Sequence, residues 1–221
     1  MRCAVCAIVL VLVLVLPSAA GAATDPRAPR QIHTAADTKR ASAIVLRRSD
    51  LAAGWKLDPP AKPAKPCTAG PDESNLVQTA KVDPSFTYKD GVTNIGSEVD
   101  IFRTAADARK DWRASTPSLL AACLLQSARA GLGKKVQVRL VSTKTLAAPK
   151  GAERSLHYRF VLALGTTTTA NLVIDIVALG RGPASVVLHT LTVRSPLPAS
   201  TLDALTGVLA SRLSSGHGVT A

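Results

Sequence analysis

The sequence predicts an α+β fold: a single domain in which a twisted antiparallel sheet carries helices packed on one face, closed by one disulfide. Three observations predict it. The back half is a succession of apolar alternations broken by hairpin turns, helical segments headed by Thr or Pro flank it, and only two cysteines lie beyond the N-terminal apolar run. Strands linked by hairpins pair antiparallel, and helices gathered outside such a run cover one side of it.

The first residues form a targeting signal. Arg2, the apolar run Val9 to Leu16, Pro17 and the small residues Ala20, Gly21 and Ala22 supply its three regions, with cleavage near Ala22-Ala23. The run from Cys3 to Leu16 falls short of the roughly 20 residues that span a bilayer, so a retained anchor is the second choice. Cys3 and Cys6 leave with the signal, and no cysteine stands where a lipoprotein would need one. The expected organisation is a signal peptide over 1–22, a flexible leader over 23–34, one domain over 35–216 and a tail over 217–221.

Cys67 and Cys123 remain, and an oxidising exterior makes them a pair. A helix follows the leader from Ala35 to about Leu46, with Ala36, Ala43, Ile44 and Leu46 apolar. Ser49 or Asp50 caps a single turn ending at Gly54, and Trp55 packs in the core beyond it. Five prolines between residues 58 and 71 (DPPAKPAKPCTAGP) exclude helix and ladder alike, leaving an extended strap that Cys67 staples to the helix bearing Cys123.

Three strands come next, Leu76–Val82, Phe86–Lys89 and Ser97–Arg103, separated at Pro84 and at Asp90-Gly91. In the third, Val99 and Ile101 share one face while Glu98, Asp100 and Phe102 share the other. Thr104, with Asp107 three residues on, caps a helix carrying Ala105, Ala108 and Trp112. Thr116-Pro117 opens a second helix through Leu119, Leu120, Cys123, Leu124 and Ala128, ending at Gly131 or Gly133. Four strands then centre on Val138, Phe160, Ile174 and Leu191, with His189 inside the apolar row of the last. Pro198 and the box Ser200 to Asp203 begin a closing helix striped by Leu202, Leu205, Val208, Leu209 and Leu213.

The motifs for chemistry are thin. GLGKK at 131–135 lacks the first glycine, the final Ser or Thr and the strand-loop-helix order of a phosphate loop. His33, His157, His189 and His217 show no metal-ligand spacing, so neither metal nor other cofactor is expected. His157, Asp175 and His189 fall on neighbouring strands and are the one constellation to test as a hydrolytic triad. An even-length GRGP hairpin pairs His189 with Ile174 and Asp175 with Leu188, on opposite faces. Matching Phe160 to Ile176 places His157 opposite Leu179, away from Asp175. No serine stands in a nucleophile elbow, and the expectation is a protein that is not an enzyme.

What remains is the sheet face away from the helices. Arg139, His157, Arg159 and Asp175 alternate there with Val141, Val161, Val173, Val177 and Leu188, which suits a groove for an amphipathic or anionic ligand bound by those four residues. An ordinary half-exposed face is the competing reading. The formal charge of +12 draws the chain to anionic partners, but its basic residues are scattered and its aromatic content is 3%, so no nucleic-acid platform is expected.

At DLAAGW (50–55), SEVDIFRTAADARKDW (97–112) and Cys123 the chain resembles the secreted sensor-type domains of high-GC Gram-positive bacteria, the extracellular domains of PknH-like receptor kinases and their stand-alone relatives. The resemblance implies an antiparallel sheet with helices, a ligand groove and no catalysis. Those kinase domains usually carry two disulfides, whereas this chain offers one, and no kinase or membrane segment follows. The expected function is thus a secreted, sensor-like binding module for an envelope lipid, glycan or anionic polymer, with peripheral attachment to membrane or wall. A structural protein adhering by charge, and an unrecognised hydrolase, are the alternatives.

Overall fold

Strand β5, Asn94–Phe102, runs through the middle of the molecule and is hydrogen-bonded along both edges. The computed structural model describes residues 25–60, 66–133, 136–165 and 170–215. The expected signal peptide and tail lie outside the described residues. Before β5 come β1 (Arg30–Gln31), α1 (Ala35–Ile44), a 3-10 turn (Arg48–Asp50), β2 (Trp55–Leu57), β3 (Val77–Val82) and β4 (Ser85–Tyr88). After it come α2 (Ala105–Ala114), α3 (Pro117–Leu132), β6 (Val138–Thr145), β7 (Arg154–Leu164), β8 (Ala170–Arg181), β9 (Ala184–Val193) and α4 (Ala199–Ser215).

The sheet order is β1-β3-β5-β9-β8-β7-β6, with β4 sharing one edge of β5 with β3 and pairing in turn with β2. Every pairing is antiparallel except the two-residue contact of β1 with β3, so the sheet is mixed, and it does not close on itself. The single α+β domain with one bridge is as the sequence predicts. The leader is not: Arg30 and Gln31 join the sheet, and the Arg27 guanidinium donates to the carbonyls of Cys67, Thr68 and Gly70.

The helices start where their caps place them. Thr34, Thr104 and Thr116 each accept a hydrogen bond from the backbone N–H three residues on, which satisfies a donor that the first turn leaves unpaired. Ser200 lies inside α4 instead of capping it; the Pro198 carbonyl accepts from Thr201 and Leu202 there.

Helices cover both faces of the sheet rather than one. Helices α1 and α4 bury Ile44, Leu205, Leu209 and Leu213 against Ile95, Val99, Val177, Leu179, Val186 and Leu188. On the opposite side α3 packs Ala121, Leu124 and Ala128 on Phe160, Leu162, Leu172, Ile174 and Leu191, and α2 packs Ala108 on Phe102. The reason lies in β8, where residues 172–180 are buried without interruption. A strand apolar on both sides needs a layer on each.

Two ties hold these layers. Arg212 on α4 makes a bidentate pair with Asp50, both contacts 2.7 Å, and reaches the Val45 carbonyl at 2.9 Å. Cys67 and Cys123 are bridged, Cα to Cα 5.3 Å, and Gln126 one turn further on α3 bonds Thr68 and the Pro66 carbonyl. The bridge fits an oxidising compartment. Among the described residues no helix is long and apolar enough to cross a membrane.

With its two cysteines separated by 56 positions, the bridge removes about 4 kcal/mol of chain entropy from the unfolded state. Cys123→Ser is expected to lower the denaturation midpoint accordingly in urea titration. A loss below about 1 kcal/mol would mean that the strap is held without it.

Candidate functional site

Of the four residues expected to bind ligand, the structure brings three together. His157 Nε2 donates to Asp175 Oδ1 at 2.8 Å, while Arg159 reaches Oδ1 through Nε at 2.9 Å and Oδ2 through a terminal nitrogen at 3.1 Å. Burial works against the Asp175 charge, but these donors outweigh it and hold the carboxyl below its usual range. Arg139 stands apart, exposed and opposite Ala163, four residues along β7 from Arg159 and so roughly 13 Å away. His157 and Arg159 thus point their donors inward, into a carboxylate whose residue is 1% exposed.

The contact of His157 with Asp175 corrects the expected register. Phe160 pairs with Ile174 and His157 with Val177, two residues from the expected match. In the next hairpin His189 pairs with Ile176 and Asp175 with Thr190, again a slip of two. A slip of two keeps every side chain on its face, so the face assignments hold while the neighbours change.

The larger feature lies on the other side. Between the core under α3 and the smaller one under α2 the sheet and helices leave a cavity of about 280 Å³. Its floor follows successive rungs of the ladder. Asp100 pairs with Ser185, Glu98 with Val187 and on to Ala178 and Leu156, and His189 with Ile176. Its roof is Asp111, Trp112 and Ser115 from the end of α2, Leu120, Cys123, Leu124 and Ser127 from α3, and Cys67 across the bridge. The floor is therefore acidic toward β5 and apolar toward β7 and β8.

The acidic end is dense. Lys81 Nζ lies 2.7 Å from Glu98 Oε1 and 3.9 Å from Asp100 Oδ1, and Gln78 donates to Asp100. Burial opposes charge on Lys81 and Glu98 alike, yet their attraction prevails, so the ammonium is held above its usual range and the Glu98 carboxyl below. Asp100 goes the other way. Burial, and against the pull of Lys81 the repulsion of Glu98 and Asp111, raise it well above the carboxylate range. Behind the roof Glu73 is pushed up to about 8 by burial, then by the charge and hydrogen bond of Asp111. Asp111 itself rises to about 6, burial prevailing over its bond from Glu73.

His189 adds no positive charge. Burial lowers it to about 4 against the pull of Glu98, and its ring lies over Gly96, where a Cβ would collide with Nε2 and Cε1. The Ser185 hydroxyl, on a residue 5% exposed, lines the cavity and has no hydrogen-bond partner. The sequence does carry the signal for this site in Glu98 and Asp100 alternating on a strand beside Gly96. It reads as a solvated face only as long as that face is thought open.

The fold and site define an α+β module whose described residues enclose an amphipathic, internally acidic cavity. No family model matches the chain, and no curated protein matches its sequence. Among solved structures it is similar to the extracellular domain of PknH from Mycobacterium tuberculosis, with 11% identity and a TM-score of 0.42 over 81% of this chain and 95% of that one. It is also similar to cyanobacterial PsbP (CyanoP) from Synechocystis sp. PCC 6803, with 12% identity and a TM-score of 0.37 over 78% and 91%. Both likenesses are distant, and neither gives this chain a family.

Gly96→Ala is expected to cost about 1–3 kcal/mol by driving His189 off its seat, measured by chemical denaturation. An unchanged midpoint would show that the ring moves freely. Glu73 binds its proton more tightly folded than unfolded, so the stability it lends is complete below its ordinary range and lost as pH climbs through about 8. Glu73→Gln should therefore flatten the fall of Tm between about pH 5 and pH 8, raising Tm at the upper end by on the order of 2–4 °C. An unaltered slope would remove Glu73 as its source.

Proposed function

We propose that the protein is an extracytoplasmic binding module, without catalysis of its own, that takes a small amphipathic molecule into the cavity between α2, α3 and the sheet. The observation that carries this is the polarity of the cavity along its length. Leu120, Leu124, Leu156, Ile176 and Ala178 meet one end of an occupant and Glu98, Asp100, Asp111 and Ser185 the other. Ligand sites combine an apolar lining with a few polar groups in this way, and this one, at about 280 Å³, falls just under their roughly 300–1,000 Å³ range. The N-terminal signal-type sequence and the bridged cysteines support the compartment.

The outer face is a weaker candidate. His157 and Arg159 are engaged with Asp175, which leaves Arg139 as its one outward donor among the four. The overall positive charge supports a surface role beside the cavity, holding the module near anionic envelope polymers.

Native mass spectrometry of protein purified from its own cells is the test. A small molecule should accompany the wild type and be absent from Ala178→Leu, which fills the floor, while Tm shows the variant folded. Loss of nothing on filling, with only a rise in stability, would mean that the cavity is a void and overturn the reading.

A further inference from the structure

We propose that the acidic end of the cavity receives a primary ammonium group, so that the occupant is a small amine carried on an apolar body. This deepens the reading of the cavity as a ligand site and rests on it. The geometry supplies three arguments.

Carboxyls exceed cations at this end. Glu98, Asp100 and Asp111 line the space, and among the described residues the ammonium engaged with Glu98 and Asp100 is that of Lys81, which stands behind the lining. Arg154 lies farther off, 5.6 Å from the Trp112 ring centre, and its terminal nitrogens donate to Glu153 and the Gly182 carbonyl. His189 stays neutral. A buried group of this kind is relieved either by protons or by a second cation.

The Ser185 hydroxyl is the second observation. It sits on the rung beside Asp100, buried and without a partner, and faces the cavity. Buried hydroxyls are nearly always satisfied, so an unpaired one at a ligand-sized space marks where a polar atom belongs. Ser185, Asp100 and Asp111 all line this end of the cavity, and each can accept from an N–H donor. A primary ammonium has three such donors, a quaternary one none. Lys81 shows the same chemistry behind the wall: its ammonium lies 2.7 Å from the Glu98 carboxylate.

The third argument separates organic from inorganic cations. Among the described residues no three metal-ligating side chains converge closely enough for a metal ion. The apolar half of the floor, Leu156, Ile176 and Ala178, also has no use for a bare ion.

Protons occupy the site when the amine does not. The titratable and charged groups that act on it are Asp25 and Glu73 ahead of β3, Lys81 and Asp83 on and after β3, Glu98 and Asp100 on β5, Asp111 on α2, Arg154 on β7 and His189 on β9. With Glu73 titrating at about 8 and Asp111 at about 6, an entering ammonium displaces protons from them. Binding should therefore strengthen with pH, by at most about tenfold per unit for each proton released.

Isothermal titration calorimetry with hexylamine, 1-hexanol and hexanoate tests this on the whole protein, in two buffers of different ionisation enthalpy. Hexylamine is expected to bind at least about tenfold more tightly than the other two at pH near 8, to release protons when titrated near pH 6, where Asp111 still carries part of its proton, and to weaken toward about pH 5.5. Asp111→Asn, nearly isosteric, should abolish the preference for the amine and leave hexanol unaffected. Hexanol or hexanoate binding as well as hexylamine, or binding without proton release, overturns the amine and leaves the cavity reading standing. Because the proton release is read on the wild type, a misfolded variant does not shield the proposal. No binding by any of the three overturns both.

Discussion

The constraint on which this molecule depends is the burial of β5 on both sides. Its odd positions, Ile95, Val99 and Ile101, enter the main core under α1 and α4, as sheet residues ordinarily do. Its even positions, Gly96, Glu98 and Asp100, face a roofed space instead of water. Charges taken out of water must be paired, neutralised or supplied with a partner. Lys81 pairs Glu98, burial and the neighbouring carboxyls push Asp100 toward its protonated form, and the Ser185 hydroxyl on the adjoining rung has no partner. An apolar β5 would make a simpler and more stable protein. That the strand carries two carboxyls at its centre is the strongest structural reason to regard this space as functional.

Much of the architecture was legible. The order of helices and strands, the caps at Thr104 and Thr116 and the bridge each rest on local chemistry or on elimination, and such signals survive without knowledge of tertiary contacts. Strand faces were legible as well, because alternation has a period of two and a register slip of two preserves it. Neighbours across strands were not. His157 reaches Asp175 through the register of β7 on β8, and Asp175 meets Thr190 through that of β8 on β9, and alternation alone does not announce which residues oppose each other. Covering of the second face was the other miss. Helices α2 and α3 follow β5 directly and read as companions of the remaining helices, yet the crossover from β5 to β6 carries them to the opposite side. The cavity follows from that placement, which is why Arg139, His157 and Arg159 drew attention in the sequence and Asp111 and Ser185 did not.

The bridge has two consequences that are easily confused. As a cross-link it restrains the unfolded chain. As a piece of the roof it places Cys67 and Cys123 directly over the cavity, with Gln126 and Arg27 fastening the same strap by polar contacts. A roof held by such a strap can keep its position over a space that is not filled by side chains. Close-packed cores resist voids through the contacts they would forfeit, so a cavity this size needs walls fixed by something other than mutual packing.

A positively charged protein with an acidic interior raises an objection to a cationic occupant, since the outer field repels it. Distance settles which prevails. At physiological salt the Debye length is about 8 Å, so the scattered surface charges are largely screened from an approaching solute. Inside the cavity the screening is lost, and an ammonium beside Asp111 and Asp100 meets them at hydrogen-bonding range in a medium of lower dielectric. For the proposed ammonium the exterior charge would therefore slow arrival more than it lowers affinity, which the carboxyls and their displaceable protons would set. The same separation would let one small domain hold to an anionic surface by its outside and select a cation with its inside.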